Sequence, residues 1–471
     1  MTTRTPLPTS TADLAGRRVV VLGLARSGLA AARMLARVGA EVTAYDRRSA
    51  EELGAALGAL GGLPVRAVPG ASPEEVERLL AGADLVVTSP SISARFPTTD
   101  PWLREALRRT EAEGVPVMGE VDLFLSLTRA RVLAVTGTKG KTTTVALLGS
   151  ILAASGLPHA VGGNIGTPLI ERVDELGTDH WVALELSELQ LPTIPRGADV
   201  AVYTNIAADH LDRHGTVEAY RAVKARLAEL TVARRAPVVL NADDPGCVAL
   251  GERLEGGLRW YGLGRPELAA TADEVTVLLD GESLLARDEV PLPGRHMLAN
   301  VLAAVLGAAV AGVPRHAIAE GVRTFRGVPH RLETVATVGG VRYVNDSQAT
   351  IPMATLAALE AFDDAPLVLI AGGRGKGLEF AGLADAVAAR CRAAVLIGEM
   401  ADELERLLAG RVPVWRAQSM QEAVRLASGA AEPDGVVLLS PAAASFDMFA
   451  DYAARGDAFR AAVHALQGGR P

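Results

Sequence analysis

The 471-residue sequence predicts an α/β protein with three domains in series, and three observations support this. The length allows about three domains of roughly 150 residues each. Short β-branched runs alternate with helix-length segments rich in alanine and leucine, a pattern typical of parallel sheets covered by helices. The alternation starts again near residues 131 and 341. We therefore expect divisions at 1–121, 122–327 and 328–471.

The first domain opens with a predicted βαβ unit. Strand 18–22 is followed by a glycine turn at Gly23 and Gly28, a helix that runs to Val38, and a second strand, 41–45. Two more apolar runs complete the predicted sheet, 84–88 and 115–118. This order of elements is typical of a βαβ unit in a parallel sheet.

The second and third domains each repeat the strand and helix alternation. In the second domain, a helix begins near Lys141 and the predicted strands are 131–135, 181–184, 200–203 and 238–240. In the third, the predicted strands are 342–344, 367–370, 394–397 and 436–439. Both patterns again indicate parallel sheets.

Composition and charge exclude several classes of protein. A net charge of −8 gives no global basic field, so nucleic acid is not an expected partner. Cys247 and Cys391 are the only cysteines, which supports neither a disulfide framework nor a zinc knuckle. The N-terminus has no apolar signal region, and the longest apolar stretch, 301–313, is too short to cross a membrane. We expect a cytoplasmic protein without a membrane partner.

The strongest local motif is a glycine loop between a strand and a helix. Residues 134–142 read A-V-T-G-T-K-G-K-T. Glycines let backbone N–H groups turn toward phosphate oxygens, and the helix N-terminus adds positive potential. Lys141 would neutralise the β and γ phosphates of ATP, and the Thr142 hydroxyl would ligate Mg²⁺. Val135 stands where the general P-loop pattern has its first glycine, so the match is to a shorter form.

This loop resembles the ATP loop of the Mur ligase family, and further motifs follow in that family's order over almost the entire chain. The resemblance implies an N-terminal Rossmann-like UDP-binding domain, a central P-loop ATPase-type domain with a parallel or mixed sheet, and a C-terminal Rossmann-like domain. It implies ATP-dependent ligation of glutamate, expected as D-glutamate, to UDP-N-acetylmuramoyl-L-alanine through an acyl phosphate. The protein is expected to be a monomer. The implied ATP contacts are Gly137, Thr138, Lys139, Gly140, Lys141, Thr142, Thr143, Asn300, Arg331 and Asp346.

The metal ligands and catalytic groups are expected in the central domain. Glu185 ends an apolar strand, where open α/β sheets bind ligands, and a carboxylate suits Mg²⁺. The spacing of His210 and His214 is compatible with zinc, but no cysteine or further histidine lies nearby. The resemblance instead places His210 at a second Mg²⁺ and leaves His214 on the surface. It also implies that Lys224, by default an exposed helix cation, is carbamylated and ligates metal.

The first domain is expected to hold the nucleotide sugar. Ala25 replaces the second glycine of a dinucleotide fingerprint, and Asp46 closes the second strand where an acid can hold a ribose hydroxyl. These features leave an NAD oxidoreductase as an alternative. The resemblance implies a UDP-sugar site that consists of Arg26, Ser27, Asp46, Arg47, Ser91, Asn164 and His210.

The last domain is expected to bind the incoming amino acid. The implied contacts are Gln348, Thr350, Lys376, Ser445, Phe446 and Tyr452. Gln348 stands where the family usually has a lysine, and Met297 replaces an asparagine near Asn300. One cation fewer weakens the grip on a side-chain carboxylate. L-Glutamate or another acceptor is therefore an alternative, as are a folylpolyglutamate-synthase-like ligase and a nucleotide-binding protein without chemistry.

Overall fold

The computed structural model describes residues 5–207, 209–292, 294–362, 366–375 and 378–468. The chain divides into two compact units, Met1–Phe325 and Arg326–Pro471. The first unit contains two β-sheets and the second contains one. The predicted α/β class with three sheet domains is confirmed. Within the described ranges, no helix is long and apolar enough to cross a bilayer.

The first sheet has five parallel strands in the order β3-β2-β1-β4-β5. Its strands are β1 (Arg18–Leu22), β2 (Glu41–Asp46), β3 (Val65–Pro69), β4 (Leu85–Thr88) and β5 (Val117–Gly119). Its helices are α1 (Arg26–Arg37), α2 (Gly54–Ala59), α3 (Pro73–Ala81), α4 (Pro101–Ala112) and α5 (Glu120–Leu127), preceded by a 3₁₀ turn at Thr11–Leu14. Gly28 lies inside α1, so the prediction that it belongs to the preceding turn is wrong.

The second sheet has nine strands in the order β14-β13-β12-β11-β10-β9-β6-β8-β7. The strands are β6 (Arg131–Thr136), β7 (His159–Gly163), β8 (Trp181–Glu185), β9 (Val200–Tyr203), β10 (Val238–Asn241), β11 (Leu258–Leu263), β12 (Ala270–Ala272), β13 (Thr276–Leu279) and β14 (Glu282–Ala286). The β12–β13 and β13–β14 pairs are antiparallel and the other pairs are parallel, which makes the sheet mixed. The helices are α6 (Lys141–Ala154), α7 (Leu211–His214), α8 (Val217–Ala233), α9 (Pro245–Gly251), α10 (Arg295–Val310) and α11 (Arg315–Arg323), with 3₁₀ turns at Leu169–Arg172, Leu191–Thr193 and Arg287–Glu289.

The third sheet has six strands in the order β15-β16-β20-β17-β18-β19, and only β15 is antiparallel to its neighbour. The strands are β15 (Glu333–Val338), β16 (Val341–Asn345), β17 (Leu367–Gly372), β18 (Cys391–Ile397), β19 (Val414–Arg416) and β20 (Val436–Leu439). The helices are α12 (Pro352–Leu359), α13 (Ala381–Arg390), α14 (Ala401–Leu408), α15 (Met420–Ala431) and α16 (Tyr452–Gly468).

Helix α6, which follows the glycine loop, shows why the central domain is rigid at this point. Its sequence is apolar on all sides, and it packs against both α10 and α11. Leu147, Leu148 and Ile151 are fully buried there. Truncating one such leucine to alanine costs about 2–5 kcal/mol. The loop therefore leads into a helix that is held firmly by its neighbours.

The two sheets of the first unit are joined by polar contacts. Arg33 of α1 donates through Nε and Nη2 to both carboxylate oxygens of Glu171, each at 2.8 Å. Thr11 Oγ1 donates to Asp174 Oδ1 at 2.8 Å, and Arg196 Nε donates to the Leu125 carbonyl at 2.7 Å. These bonds connect the first sheet domain, including α1, to the central domain.

Candidate functional site

Most of the predicted site residues of the first unit follow the carboxyl ends of neighbouring strands. In the central sheet β9, β6 and β8 are adjacent and parallel. The loops after them contain the glycine loop, Glu188 and His210. Parallel strands end at the same edge of a sheet, so these loops meet there.

Two glycines of the loop are required by close packing. A Cβ on Gly137 would lie 1.9 Å from Thr204 Oγ1, and a Cβ on Gly140 would lie 2.2 Å from Asn300 Oδ1. Both glycines also have positive φ, 154° and 85°. The backbone therefore turns tightly at both points and enters α6 at Lys141.

Two lysines donate to the same backbone carbonyl. Lys141 Nζ donates to Gly137 O at 2.9 Å, and Lys224 Nζ donates to it at 3.0 Å. Lys224 is fully buried and also donates to Thr136 Oγ1 at 3.1 Å. Burial and the nearby charge of Lys141 lower the pKa of Lys224 to about 7. Lys224 is therefore not the exposed helix cation that is the default for such a position, and a substantial fraction is a neutral amine near pH 7.

Tyr203 and Tyr220 support this buried lysine, and the sequence analysis missed both. The Tyr220 hydroxyl lies 3.0 Å from Thr138 Oγ1 in the glycine loop, and the Lys224 ammonium lies 5.5 Å from the centre of the Tyr220 ring. The Tyr203 hydroxyl donates to the Lys224 carbonyl at 2.7 Å. Tyr220 and Lys224 are four residues apart on α8, so they share one helix face.

One carboxylate oxygen of Glu185 accepts a hydrogen bond, and the other accepts none from the described residues. Asn164 Nδ2 donates to Glu185 Oε1 at 2.9 Å, and the Asn164 carbonyl accepts a bond from Arg26 Nη2 at 3.3 Å. Glu185 Oε2 is buried and has no hydrogen-bond partner within the described part of the chain. The structure thus brings Arg26, Asn164 and Glu185 together.

His210 lies beside a buried glutamate that the sequence analysis did not single out. His210 Nε2 is 3.7 Å from Glu188 Oε1 and 3.7 Å from Asp209 Oδ2. Glu188 is only 6% exposed and accepts a bond from Arg213 Nη1 at 2.9 Å. His210 itself has a positive φ of 50°, a conformation that L side chains rarely adopt.

His214 is not the surface residue that we expected. Its ring packs edge-on against Phe96 at 5.5 Å and Tyr220 at 5.4 Å between centroids. Its Nε2 is buried and makes no hydrogen bond to any described residue. The short helix α7 turns the side chain inward, where it contacts a loop of the first sheet domain.

The remaining predicted nucleotide contacts of the first unit surround the glycine loop. Thr142 is half-buried in the first turn of α6 and Thr143 is buried. The exposed Lys139 donates its N–H to Asn205 Oδ1 at 2.9 Å, while its carbonyl accepts from Thr204 Oγ1 at 2.6 Å. Thr204 and Asn205, which the sequence analysis missed, therefore hold the loop in place.

The first sheet places its predicted residues along the carboxyl edge of β2, β1 and β4. Ser27 lies half-buried in the first turn of α1, and Arg47 and Ser91 are exposed. Asp46 is buried and already engaged: its oxygens accept bonds from the Leu24 N–H at 2.7 Å and from the guanidinium of Arg48 at 2.9 and 3.0 Å. Burial would raise the pKa of Asp46, but these bonds hold it below its usual value. Arg48 was missed, and its signal is the Asp-Arg-Arg run after β2.

In the second unit, Arg331 lies in a strained turn that donates a hydrogen bond to Asp346. Arg331 is exposed, and both of its neighbours, His330 and Leu332, have positive φ, 62° and 45°. The Leu332 N–H donates to Asp346 Oδ1 at 3.1 Å, and Ser440 Oγ donates to Asp346 Oδ2 at 2.8 Å. Burial raises the pKa of Asp346 to about 6. Strained backbone of this kind concentrates at functional sites.

Apart from Lys376, the predicted acceptor residues of this unit follow β16 and β20, which are adjacent strands. Gln348 donates its N–H to the His330 carbonyl at 3.0 Å, and the His330 ring packs edge-on against Tyr452 at 6.1 Å. Thr350 is half-buried, Ser445 is buried, and Phe446 is 65% exposed. Lys376 lies outside the described residues. The sequence analysis missed Arg455, whose buried guanidinium donates to the carbonyls of residues 347 and 443.

The donor set at the central edge fits a hard divalent cation. No three His, Cys, Asp or Glu side chains cluster as metal ligands among the residues that the structure describes. Mg²⁺ at nucleotide sites takes one or two carboxylates and completes its shell with phosphate and water oxygens. The buried, unpaired Glu185 Oε2 meets this need.

Comparisons with known proteins identify the family. The Mur ligase middle domain matches residues 135–308, the glutamate ligase domain of Mur ligases matches 330–443, and the C-terminal domain of alanine dehydrogenase/PNT matches 3–99. The chain is 42% identical over 456 residues to UDP-N-acetylmuramoylalanine–D-glutamate ligase of Solibacter usitatus, covering 96% of this chain and 99% of the relative. It is 40% identical to the protein of the same name from Acidobacterium capsulatum, with coverage of 97% and 98%.

Solved structures show the same fold at low sequence identity. UDP-N-acetylmuramate-alanine ligase MurC from Thermotoga maritima matches with a TM-score of 0.58 and 20% identity, over 96% of this chain and all of that one. A pseudomurein peptide ligase type C from Methanothermus fervidus matches with a TM-score of 0.51 and 18% identity, over 96% and 100%. Relatives of more than 40% identity over nearly their whole length, together with the two domain matches, show that the chain belongs to the Mur ligase family of ATP-dependent, peptide-bond-forming ligases.

Proposed function

We propose that the protein ligates D-glutamate to UDP-N-acetylmuramoyl-L-alanine with ATP, in the synthesis of a peptidoglycan precursor. The observation that carries this proposal is near-full-length identity of about 40% to relatives that bear that activity in their names. The site geometry supports it, because Lys141, Lys224 and Glu185 meet at the edge where the central sheet binds ligands. We also propose that the protein is a cytoplasmic monomer.

We propose that the glycine loop holds the ATP phosphates. Residues 137–143 offer backbone N–H groups at the N-terminus of α6, where the helix dipole favours anions. The Lys141 ammonium, only 2.9 Å from two loop carbonyls, can turn to the phosphates without leaving the loop. Asn300, packed against Gly140, extends this site. The nucleotide contacts expected of Arg331 and Asp346 stay predictions.

We propose that Thr142, Glu185, His210 and a carbamylated Lys224 hold Mg²⁺. The metal would neutralise charge that develops on the transferring phosphoryl group. Carbamylation needs a neutral amine, and the lowered pKa of Lys224 supplies one near pH 7. The product is an anionic oxygen ligand in place of a buried ammonium.

In the proposed reaction, the carboxylate of the sugar-peptide attacks the γ-phosphorus of ATP and releases ADP. The resulting acyl phosphate is then attacked by the acceptor amine, and phosphate leaves from a tetrahedral intermediate. Lys141 stabilises the negative charge in both steps, since it lies on the phosphate loop. Asn164, bonded to both Glu185 and Arg26, links the sugar-peptide side to the metal side.

We propose that the UDP moiety lies along the carboxyl edge of the first sheet, between the start of α1 and the 89–92 turn. Arg26, Ser27, Arg47 and Ser91 are accessible there. The first-sheet domain is proposed to end at residue 121 and the central domain at 327.

We propose that the second unit binds the acceptor through Gln348, Thr350, Lys376, Ser445, Phe446 and Tyr452. The exposed aromatic rings of Phe446 and Tyr452 border this edge of the sheet. Gln348 donates a neutral hydrogen bond where a lysine would add charge, so glutamate is held with fewer cations.

The deciding experiment measures phosphate release from ATP with UDP-N-acetylmuramoyl-L-alanine and a panel of D- and L-amino acids. Release should require both the sugar-peptide and D-glutamate, and a mass spectrum should show the amide product. Release without the sugar-peptide refutes the ligase proposal. Faster turnover with L-glutamate or another acceptor refutes only the acceptor, and turnover with a folate substrate would replace the proposal.

A further inference from the structure

Glu188 is a buried acid at the centre of the site that no assigned role uses. It lies three residues beyond Glu185, in the turn that follows β8, and is 6% exposed. A charged carboxylate is rarely buried unless it is paired. Its Oε1 lies 2.9 Å from Arg213 Nη1 and 3.7 Å from His210 Nε2. Glu188 therefore connects the loop after β8 to the loop after β9.

The backbone of His210 is strained, and its ring depends on neighbouring side chains for its orientation. Its φ of 50° lies in the left-handed region, which costs free energy for a residue with a side chain. The His210 N–H donates to its neighbour Asp209 Oδ1 at 2.9 Å, which fixes the backbone but leaves the ring to be oriented by other groups. The ring nitrogen points toward Glu188 and Asp209. Of these two acids, Asp209 is 42% exposed in its side chain and Glu188 is 7% exposed, so Glu188 offers the more rigid contact.

The charge of Glu188 also affects the pKa values of neighbouring titratable groups. Among the carboxylates that raise the pKa of Lys224, Glu188 has the largest effect, followed by Glu185 and Asp209. Burial raises the pKa of Tyr220 and lowers that of His214; the charge of Glu188 adds to the first shift and opposes the second. The charge of Glu188 therefore contributes to the pKa values of Lys224, Tyr220 and His214, which line this edge.

We propose that Glu188 is a positioning residue for His210: its buried carboxylate, held by Arg213, fixes the imidazole at the carboxyl edge of the central sheet. The inference rests on the proposed function in one respect: it takes His210 to be a ligand of the metal. Carboxylates that orient metal-ligating histidines are a general feature of metal sites, and removing one typically lowers metal affinity or activity about 10- to 100-fold.

The test compares E188Q and E188D with wild type by two readouts. The first is Mn²⁺ affinity in the presence of a non-hydrolysable ATP analogue, read from the electron paramagnetic resonance signal of free Mn²⁺. The second is the separation of kcat from the KM of the sugar-peptide. E188Q should weaken Mn²⁺ binding and lower kcat, each about 10- to 100-fold, with the KM of the sugar-peptide nearly unchanged. E188D keeps the charge and should recover most of the loss.

The matched control is E171Q, which also removes a glutamate charge that is paired with an arginine in the first unit. It should bind Mn²⁺ as wild type does. R213Q tests the same idea without altering the acid and should give a smaller loss of the same kind. Wild-type Mn²⁺ affinity and kcat in E188Q would overturn the proposal, as would an equal loss in E171Q. If no ligation is seen even in wild type, the proposed function fails, but the Mn²⁺ comparison still decides the role of Glu188.

Discussion

Glu120 is a buried acid whose removal should have a measurable effect on stability. It is the first residue of α5, between the two sheet domains of the first unit, and is 3% exposed. Burial raises its pKa from 4.5 to about 8; a backbone hydrogen bond from Ile170 and the charge of Arg26 oppose this, while the charges of Asp122 and Glu171 add to it. The substitution Glu120→Gln keeps the shape and removes the ionisation.

The sign of the effect follows from the raised pKa. An acid with a higher pKa in the folded state contributes stability that is fully present below pH 4.5 and is lost as the pH rises through about 8. From these two pKa values, ionisation of Glu120 destabilises wild type by about 2 kcal/mol at about pH 6 and by about 5 kcal/mol at about pH 8.5. E120Q should therefore gain about 3 kcal/mol of stability relative to wild type over this interval.

The assay is urea unfolding of both proteins across this pH range, followed by tryptophan fluorescence of the first unit. D122N is a matched control, because the pKa of Asp122 is raised from 3.8 only to about 6. The destabilisation caused by ionising Asp122 therefore reaches its full value at a lower pH than that of Glu120. The difference between D122N and wild type should become flat above about pH 7. Parallel pH curves for E120Q and wild type would refute the reasoning.

Three further predictions concern activity and packing. K224R should lower kcat at least about 100-fold, because arginine keeps a positive charge and forms no carbamate; near-wild-type turnover in a steady-state assay would contradict the role of Lys224. Q348K should lower the KM for D-glutamate about 10-fold by adding a charge-assisted hydrogen bond, and an unchanged KM would show that this side chain does not reach the acceptor. G163A should destabilise the protein by about 2 kcal/mol or more, because a Cβ on Gly163, at φ 100°, would lie 2.3 Å from the Glu185 carbonyl. Its control is G156A, with φ 69° and open space, which should cost about 1 kcal/mol in thermal unfolding; equal losses would remove the steric argument.

Strongly apolar strands and glycine loops were predictable because each is a local pattern. Strands 18–22, 200–203 and 436–439 agree with β1, β9 and β20 to the residue. Strands β11 to β14 were missed since they are short and carry many polar or exposed side chains. Their pairing comes from neighbours in the sheet, which a single segment does not reveal.

The burial of Lys224 had a local signal in the helical spacing, which the default expectation of an exposed cation overlooked. Tyr220, Lys224, Leu227 and Thr231 recur at helical spacing on α8, and all four are buried. A lysine within such a stripe points to a buried amine. The position of Glu188 had no such signal, because its partners, His210 and Arg213, follow a different strand and lie more than twenty residues away.

The Gly137 carbonyl accepts hydrogen bonds from both Lys141 and Lys224, so two positively charged groups lie close together at this centre. Two ammonium groups that bond one oxygen repel each other, and this repulsion adds to burial, the larger cause, in lowering the pKa of Lys224. Any event that brings negative charge here relieves that repulsion, whether a polyphosphate arrives or the lysine becomes an anion. Ligand binding should therefore tighten the very loop that binds it, so that the centre becomes more ordered as it is filled.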